Sequence, residues 1–217
     1  MDSESSLRER LIDVGVDLVT TEGAASLGLR EIARRAGVSH GAPRRYFPTH
    51  HSLLSAIARR GFADLAARFD AATAGPAAPR ARLQALARAY VGYALEHRGM
   101  FELMFRHDLL DSARHGSEQP RLRDSTLPLF AHLGGLIARH RAERDAENRS
   151  AAPAGAEPPP AEAAAALWAN LHGIAQLWAG ESLQLALGAP PGAAPGDDPL
   201  DRLVTAALDA HLGPART

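Results

Sequence analysis

The chain has no cysteine and no lysine. The first absence removes disulfides, thiolate nucleophiles and cysteine-ligated metals, and fits a reducing compartment. The second leaves arginine to supply all 24 basic residues, which together with abundant Ala, Gly and Pro suggests a GC-rich bacterial genome. No run approaches the roughly 18 consecutive apolar residues of a membrane span. The N-terminus is polar and acidic, unlike a secretory signal. The expectation is a soluble protein without membrane partners, acting in the cytoplasm. Strand alternation, internal repeats, GxSxG, P-loop and dinucleotide fingerprints are all missing. Ten histidines are present, but none at HxxxH or HExxH spacing: His50 and His51 are adjacent, and His132 and His140 lie two turns apart. Neither a metal, nor a cofactor, nor a catalytic constellation is expected.

What is present is helical. At 217 residues and 46% hydrophobic the chain can bury a sizeable core in one large domain or two small ones. In residues 29–54 the spacing of Leu29, Ile32, Ala33 and Ala36 predicts a helix over 29–36. Gly37 supplies a left-handed stop, Val38 an apolar plug, and the Ser39 hydroxyl a cap for a second short helix. Pro43 suits the first turn of that helix, where a missing N–H costs little. Two short helices joined by a tight Gly-containing turn form the helix-turn-helix, whose second helix enters a DNA major groove. Charge agrees: residues 30–60 hold seven arginines against Glu31, a net of +6 in a chain of net −1, so the remainder carries −7. A cationic window in an acidic chain suits phosphate binding by one small surface.

Gly23, the run Leu29–Ser39, Tyr46-Phe47-Pro48 and Leu53-Leu54 resemble the TetR (tetracycline-repressor) family of bacterial regulators over residues 7–62. Trp168, with His172-Gly173, resembles the Trp…His-Gly signature of one subgroup's ligand domain. The resemblance implies an all-α homodimer: a three-helix helix-turn-helix DNA-binding domain over residues 1–52, and an effector-binding and dimerisation domain over 53–217. It implies a repressor that binds palindromic double-stranded operator DNA and is released by an unidentified small apolar effector. An architectural helix-turn-helix protein without an effector is the alternative, weakened by the large apolar C-terminal part.

The DNA-contacting set would be Arg30, Ser39, His40, Gly41, Ala42, Arg44, Arg45, Tyr46, Thr49 and His50. His40, Gly41 and Ala42 come first to base edges, Arg44 or Arg45 suits a bidentate bond to guanine, and Tyr46 a phosphate. Arg44 and His50 stand where the family pattern usually has Tyr and Lys.

Further along, helices are expected over about 50–72, with Thr49 capping, 79–97, a short stretch near 100–105, 124–140, 161–187 and 199–212, with loops at 142–160 and 188–198. The 161–187 helix is apolar on two sides: Leu167, Leu171, Ile174, Trp178 and Leu185 on one, Ala169, Gly173, Gly180 and Leu187 on the other. With the 199–212 helix it would form half of a four-helix dimer interface. Met100, Phe101, Met104, Phe105, Phe130, Leu133, Leu171, His172 and Trp178 are the effector-pocket candidates, with Gly173 leaving room beside the imidazole.

Overall fold

The computed structural model describes residues 2–106, 110, 122–147, 157–188 and 198–215. Among these it contains nine α-helices, two 3-10 turns and no strand. No helix among the described residues is long and apolar enough to cross a membrane. Packing divides the chain into two compact units, residues 1–65 with 96–126, and 66–95 with 127–217. This division differs from the expected boundary at 52/53, because the third helix continues the N-terminal core as far as Leu65 and the short helix near residue 100 packs there as well.

The first unit is built on α1 (Asp2–Glu22), α2 (Leu29–Arg35), the first part of α3 (His50–Ala72) and α5 (Arg98–Met104). Leu11, Leu18, Val19, Ile32, Phe47, Leu53 and Ile57 are its innermost side chains. The helices approach closely at glycines: a Cβ on Gly15 would run into the Ile57 side chain, and one on Gly99 into the Val19 carbonyl oxygen. α3 starts as the sequence predicts, with the Ser52 N–H donating to Thr49 Oγ1 at 3.1 Å and the Thr49 N–H to Ser52 Oγ at 3.3 Å. That reciprocal pair satisfies two of the donors a helix start leaves open.

The second unit holds α4 (Pro79–Glu96), most of α6 (Arg123–Glu147), α7 (Pro160–Ala179), α8 (Ser182–Leu187) and α9 (Pro199–Leu212), together with the rest of α3. α7 packs along α9, and α4 is fastened to α9 by Arg88–Asp201 (2.5 and 2.8 Å) and by Arg80–Asp209. Asp198 caps α9 by accepting from the Leu200 N–H at 2.9 Å.

Two expectations are corrected here. Residues 142–147, expected as loop, continue α6, because Arg141 and Arg144 both pair with Glu157 (2.7 and 2.6 Å). The rest of the 142–160 loop up to residue 156, and most of 188–198, lie outside the described residues. The expected single helix over 161–187 is broken after Ala179: Glu181 takes a left-handed φ of 61°, and the Trp178 carbonyl accepts from the Glu181 N–H (3.0 Å) and from Gln184 Nε2 (2.9 Å). Leu185 therefore leaves its expected stripe and is 86% exposed.

Candidate nucleic-acid interface and effector-site residues

α2 ends in a complete Schellman stop. Gly37 sits at φ 68°, the Val38 N–H reaches the Ala33 carbonyl at 3.0 Å, and the Gly37 N–H the Arg34 carbonyl at 3.2 Å. The second element differs from expectation. Ala42–Arg45 is a single 3-10 turn, not an α-helix, and no side chain caps it. Ser39 contributes its backbone carbonyl, accepting from the Ala42 N–H at 3.0 Å, in place of the expected hydroxyl cap. The turn is set by its two buried residues: Pro43 lies in the core, and the N–H of fully buried Phe47 closes on the Pro43 carbonyl at 2.8 Å. With three residues per 3-10 turn, Arg44 and Arg45 diverge by about 120°. Both are exposed, as are Arg30, Ser39, His40 and Gly41, while Ala42, Tyr46, Thr49 and His50 are half-buried.

Electrostatics narrow the +6 window. Arg34 bonds Glu31 at 2.5 and 2.9 Å, and Arg35 bonds Glu31 at 2.7 Å and also Glu22. Those two guanidinium groups, Arg34 first, pull the Glu31 carboxyl down to about 2. Arg60 is held by Asp13 (2.8 Å) and Glu9 (3.2 Å), and burial depresses Arg59. Arg30, Arg44 and Arg45 are exposed on the same unit. His50 has a second role that its sequence position concealed: its Nε2 donates to the carbonyl of buried Leu27, tying the start of α3 to the segment that enters α2.

The effector candidates divide between the units. Met100, Phe101, Met104 and Phe105 belong to the first, where they are close-packed. A Cβ on Gly61 would lie 2.7–2.8 Å from both methionine sulfurs, and Phe105 stacks edge-on against Phe62 (5.7 Å) and Phe101 (4.9 Å). Phe130, Leu133, Leu171, His172 and Trp178 belong to the second, where Leu133 and Leu171 are buried core and His172 and Trp178 are half-buried. Phe130 meets Trp168 edge-on at 5.2 Å.

Tyr90, on α4, is the residue that sequence reading missed. Its hydroxyl oxygen accepts from Trp168 Nε1 at 3.0 Å and lies 2.8 Å from His172 Nδ1. Indole nitrogen can only donate, so Tyr90 is the acceptor towards Trp168, while the hydroxyl and His172 Nδ1 share a hydrogen bond whose direction follows the imidazole tautomer. Burial lowers the His172 pKa and raises that of Tyr90, so the relay is neutral at ordinary pH. Nothing in the spacing of α4 marks Tyr90, since its partners lie about 80 residues away.

Gly173 does not open towards this cluster. An added Cβ would meet nothing within 4 Å, because Gly173 lines a groove of about 490 Å3 between α7, α8 and α9. Among the described residues no group of three His, Asp or Glu is placed to hold a metal ion.

Two family models match the chain. The bacterial regulatory proteins of the tetR family match residues 11–57, and the tetracyclin repressor-like C-terminal domain matches residues 83–207. Among solved structures, a protein with unknown function from Rhodococcus sp. RHA1 is 30% identical, with a TM-score of 0.69 over 95% of this chain and 93% of that one. A TetR-like transcriptional regulator from Rhodococcus sp. RHA1 is 17% identical, with a TM-score of 0.58 over 94% of each chain. The TetR family transcriptional regulator PfmR from Thermus thermophilus is 18% identical, with a TM-score of 0.52 over 96% of this chain and all of that one. The last two share the fold. No curated protein matches by sequence. The N-terminal model spans the helix-turn-turn unit that exposes Arg44 and Arg45, and the C-terminal model alone covers more than half of the chain; the chain belongs to the TetR family of DNA-binding transcriptional regulators.

Proposed function

We propose that the protein is a homodimeric repressor that reads a palindromic operator and leaves it when a small, largely apolar effector binds. The observation that carries this reading is the exposure of Arg44 and Arg45 on a turn anchored by buried Pro43 and Phe47, directly after the Gly37 stop of α2. In this reading Arg44 and Arg45 divide base and phosphate contacts. His40, Gly41 and Ala42 approach base edges, and Arg30, Ser39, Tyr46 and Thr49 face phosphates. His50 supports the unit through Leu27. A two-fold dimer requires half-sites one helical turn or a multiple apart.

The effector is assigned to the second unit, around Tyr90, Trp168, His172 and Phe130, where a neutral polar relay sits among aromatic rings. α3, whose residues fall in both units, carries the response. Because the coupling is between two binding equilibria, operator DNA must weaken effector binding by the factor that effector weakens operator binding. The test is footprinting on genomic fragments including the gene's own flanks, with and without a small-molecule extract of the host. Paired protected half-sites that are lost with extract are expected. Protection that is unpaired, or that no extract or compound relieves, overturns the dimeric or the effector-released part respectively.

A further inference from the structure

Three of the chain's ten histidines, His40, His50 and His51, fall in the cationic window that also holds Arg44 and Arg45. Arginine keeps its charge at any ordinary pH, whereas histidine is the side chain that changes charge between about pH 5 and 8. The fold fixes the tautomer of His50. A carbonyl oxygen only accepts, so the bond to Leu27 places the proton of the neutral ring on Nε2. Nδ1 then carries a lone pair and turns negative charge towards whatever approaches it. Adding a proton makes Nδ1 a donor and leaves the Leu27 bond in place, because both ring nitrogens donate in the cation. The two protonation states share one anchor and differ in what the second nitrogen offers.

His50 is half-buried, five residues after Arg45. Among the described residues its Nδ1 has no hydrogen-bond partner and the ring makes no ion pair. The surrounding elements supply no counterion for a charged ring. Residues 24–28, which include Leu27, contain no titratable side chain. α2 opens with Arg30 and with Glu31, and Glu31 is held by Arg34 and Arg35. The turn that follows brings Arg44, Arg45 and Tyr46. On α1, Glu22 is held by Arg35, Glu9 and Asp13 are held by Arg60, and Arg8 stands over the Phe47 ring. On α3 itself the His51 ring centre lies 6.4 Å away. A proton on His50 thus adds to a cationic neighbourhood, and an anion from outside the unit is what would balance it.

We propose that His50 couples one proton per protomer to DNA binding. On the duplex, Nδ1 takes a proton from solvent and donates it in a hydrogen bond to a backbone phosphate, while Nε2 stays on Leu27. The proposal rests on the DNA-binding reading above and adds a condition to it: binding tightens as pH falls. The coupling is reciprocal, so the factor by which the proton strengthens DNA binding is the factor by which DNA strengthens proton binding.

The probe is a labelled mixed-sequence duplex of about 30 base pairs, because the phosphate contribution to affinity does not depend on sequence. Titrated with the full-length chain at fixed low salt, it is expected to bind about 10-fold or more tightly at pH 6 than at pH 8, since one proton taken up is worth at most about 10-fold per pH unit. Calorimetry at pH 7 in two buffers of different ionisation enthalpy is expected to show protons taken up on binding. His50→Gln, whose amide can still donate to Leu27, is expected to flatten the pH profile and abolish the uptake. His50→Arg, charged throughout, is expected to flatten it as well, at the affinity that the wild type reaches near pH 6. His40→Gln and His51→Gln are expected to keep the slope, whatever they do to the affinity. Circular dichroism at each pH checks that all variants stay folded. A duplex that does not bind at any pH overturns the DNA-binding reading and the proton coupling with it. Binding that is the same at pH 6 and pH 8, or a slope that survives in His50→Gln or in His50→Arg, overturns the coupling alone.

Discussion

Replacing Tyr90 by Phe removes one oxygen from a site with two partners. Tyr90 is 3% exposed, Trp168 donates to it at 3.0 Å, and its hydroxyl is hydrogen-bonded to His172 Nδ1 at 2.8 Å. Phenylalanine keeps the ring and its packing, so no cavity opens. What remains is an indole N–H and an imidazole nitrogen, both half-buried, that each lose their bond to the hydroxyl. Leaving a buried partner unsatisfied costs about 1–3 kcal/mol each, and half-burial puts both losses at the lower end. The expected destabilisation is about 2–4 kcal/mol, a large part of the roughly 5–15 kcal/mol of a typical domain. Urea unfolding followed by tryptophan fluorescence, at fixed protomer concentration, should show the midpoint falling by about 1 M for an m-value of 2–3 kcal/mol/M. Burial holds the His172 pKa below its ordinary 6.5. The folded state then binds fewer protons than the unfolded one once pH falls below that value, so stability declines on acidification from about pH 6.5 downward. Burial is unchanged by Tyr90→Phe, so the variant should keep this slope. A stability loss below about 0.5 kcal/mol would refute the relay as a structural element, since water or rearranged partners would then have replaced the hydroxyl.

Other consequences can be checked on the same protein. Arg44→Ala and Arg45→Ala should each weaken operator binding by about 1–3 kcal/mol in gel-shift titrations, and the one that contacts phosphate should also reduce the salt slope by about 1; unchanged binding in the double variant would remove the turn from the interface. Thr49→Ala, which deletes the cap at the start of α3, should lower stability by about 1 kcal/mol in urea titration. Gly99→Ala should destabilise more than Gly61→Ala, because the added methyl meets the Val19 backbone carbonyl in the first case and two flexible methionines in the second; about 1–3 kcal/mol is expected for overpacking at Gly61, and equal thermal shifts would contradict the ranking.

The elements whose signals are local were legible in advance. Gly37, Thr49 and the leucine spacing of α9 each work through residues one turn away, so the stop of α2, the start of α3 and the 199–212 helix appear where expected. The short element that follows the α2 stop was legible in place but not in form. Pro43 reads as a helix-start residue, yet the burial of Pro43 and Phe47 in the core tightens the segment to one 3-10 turn. The charge count over residues 30–60 was correct as a sum and misleading as a surface, because Glu31 lies within reach of two of the arginines and Glu22, Glu9 and Asp13 arrive from α1.

From its residues alone this protein is all-helical and carries a helix-turn reading unit near its N-terminus, because hydrophobic period, glycine stops and caps act over a few residues. Which side chains share a site was decided only by the tertiary structure. The methionine–phenylalanine cluster packs with α3 in the first unit, since Gly61 admits both sulfurs there. Trp168 and His172 find Tyr90 from a helix about 80 residues away. The 161–187 segment breaks at Gly180–Glu181, where the Trp178 carbonyl takes Gln184 as an alternative partner. Each of these depends on a contact between distant stretches of chain, and spacing within one helix carries no information about what packs against it.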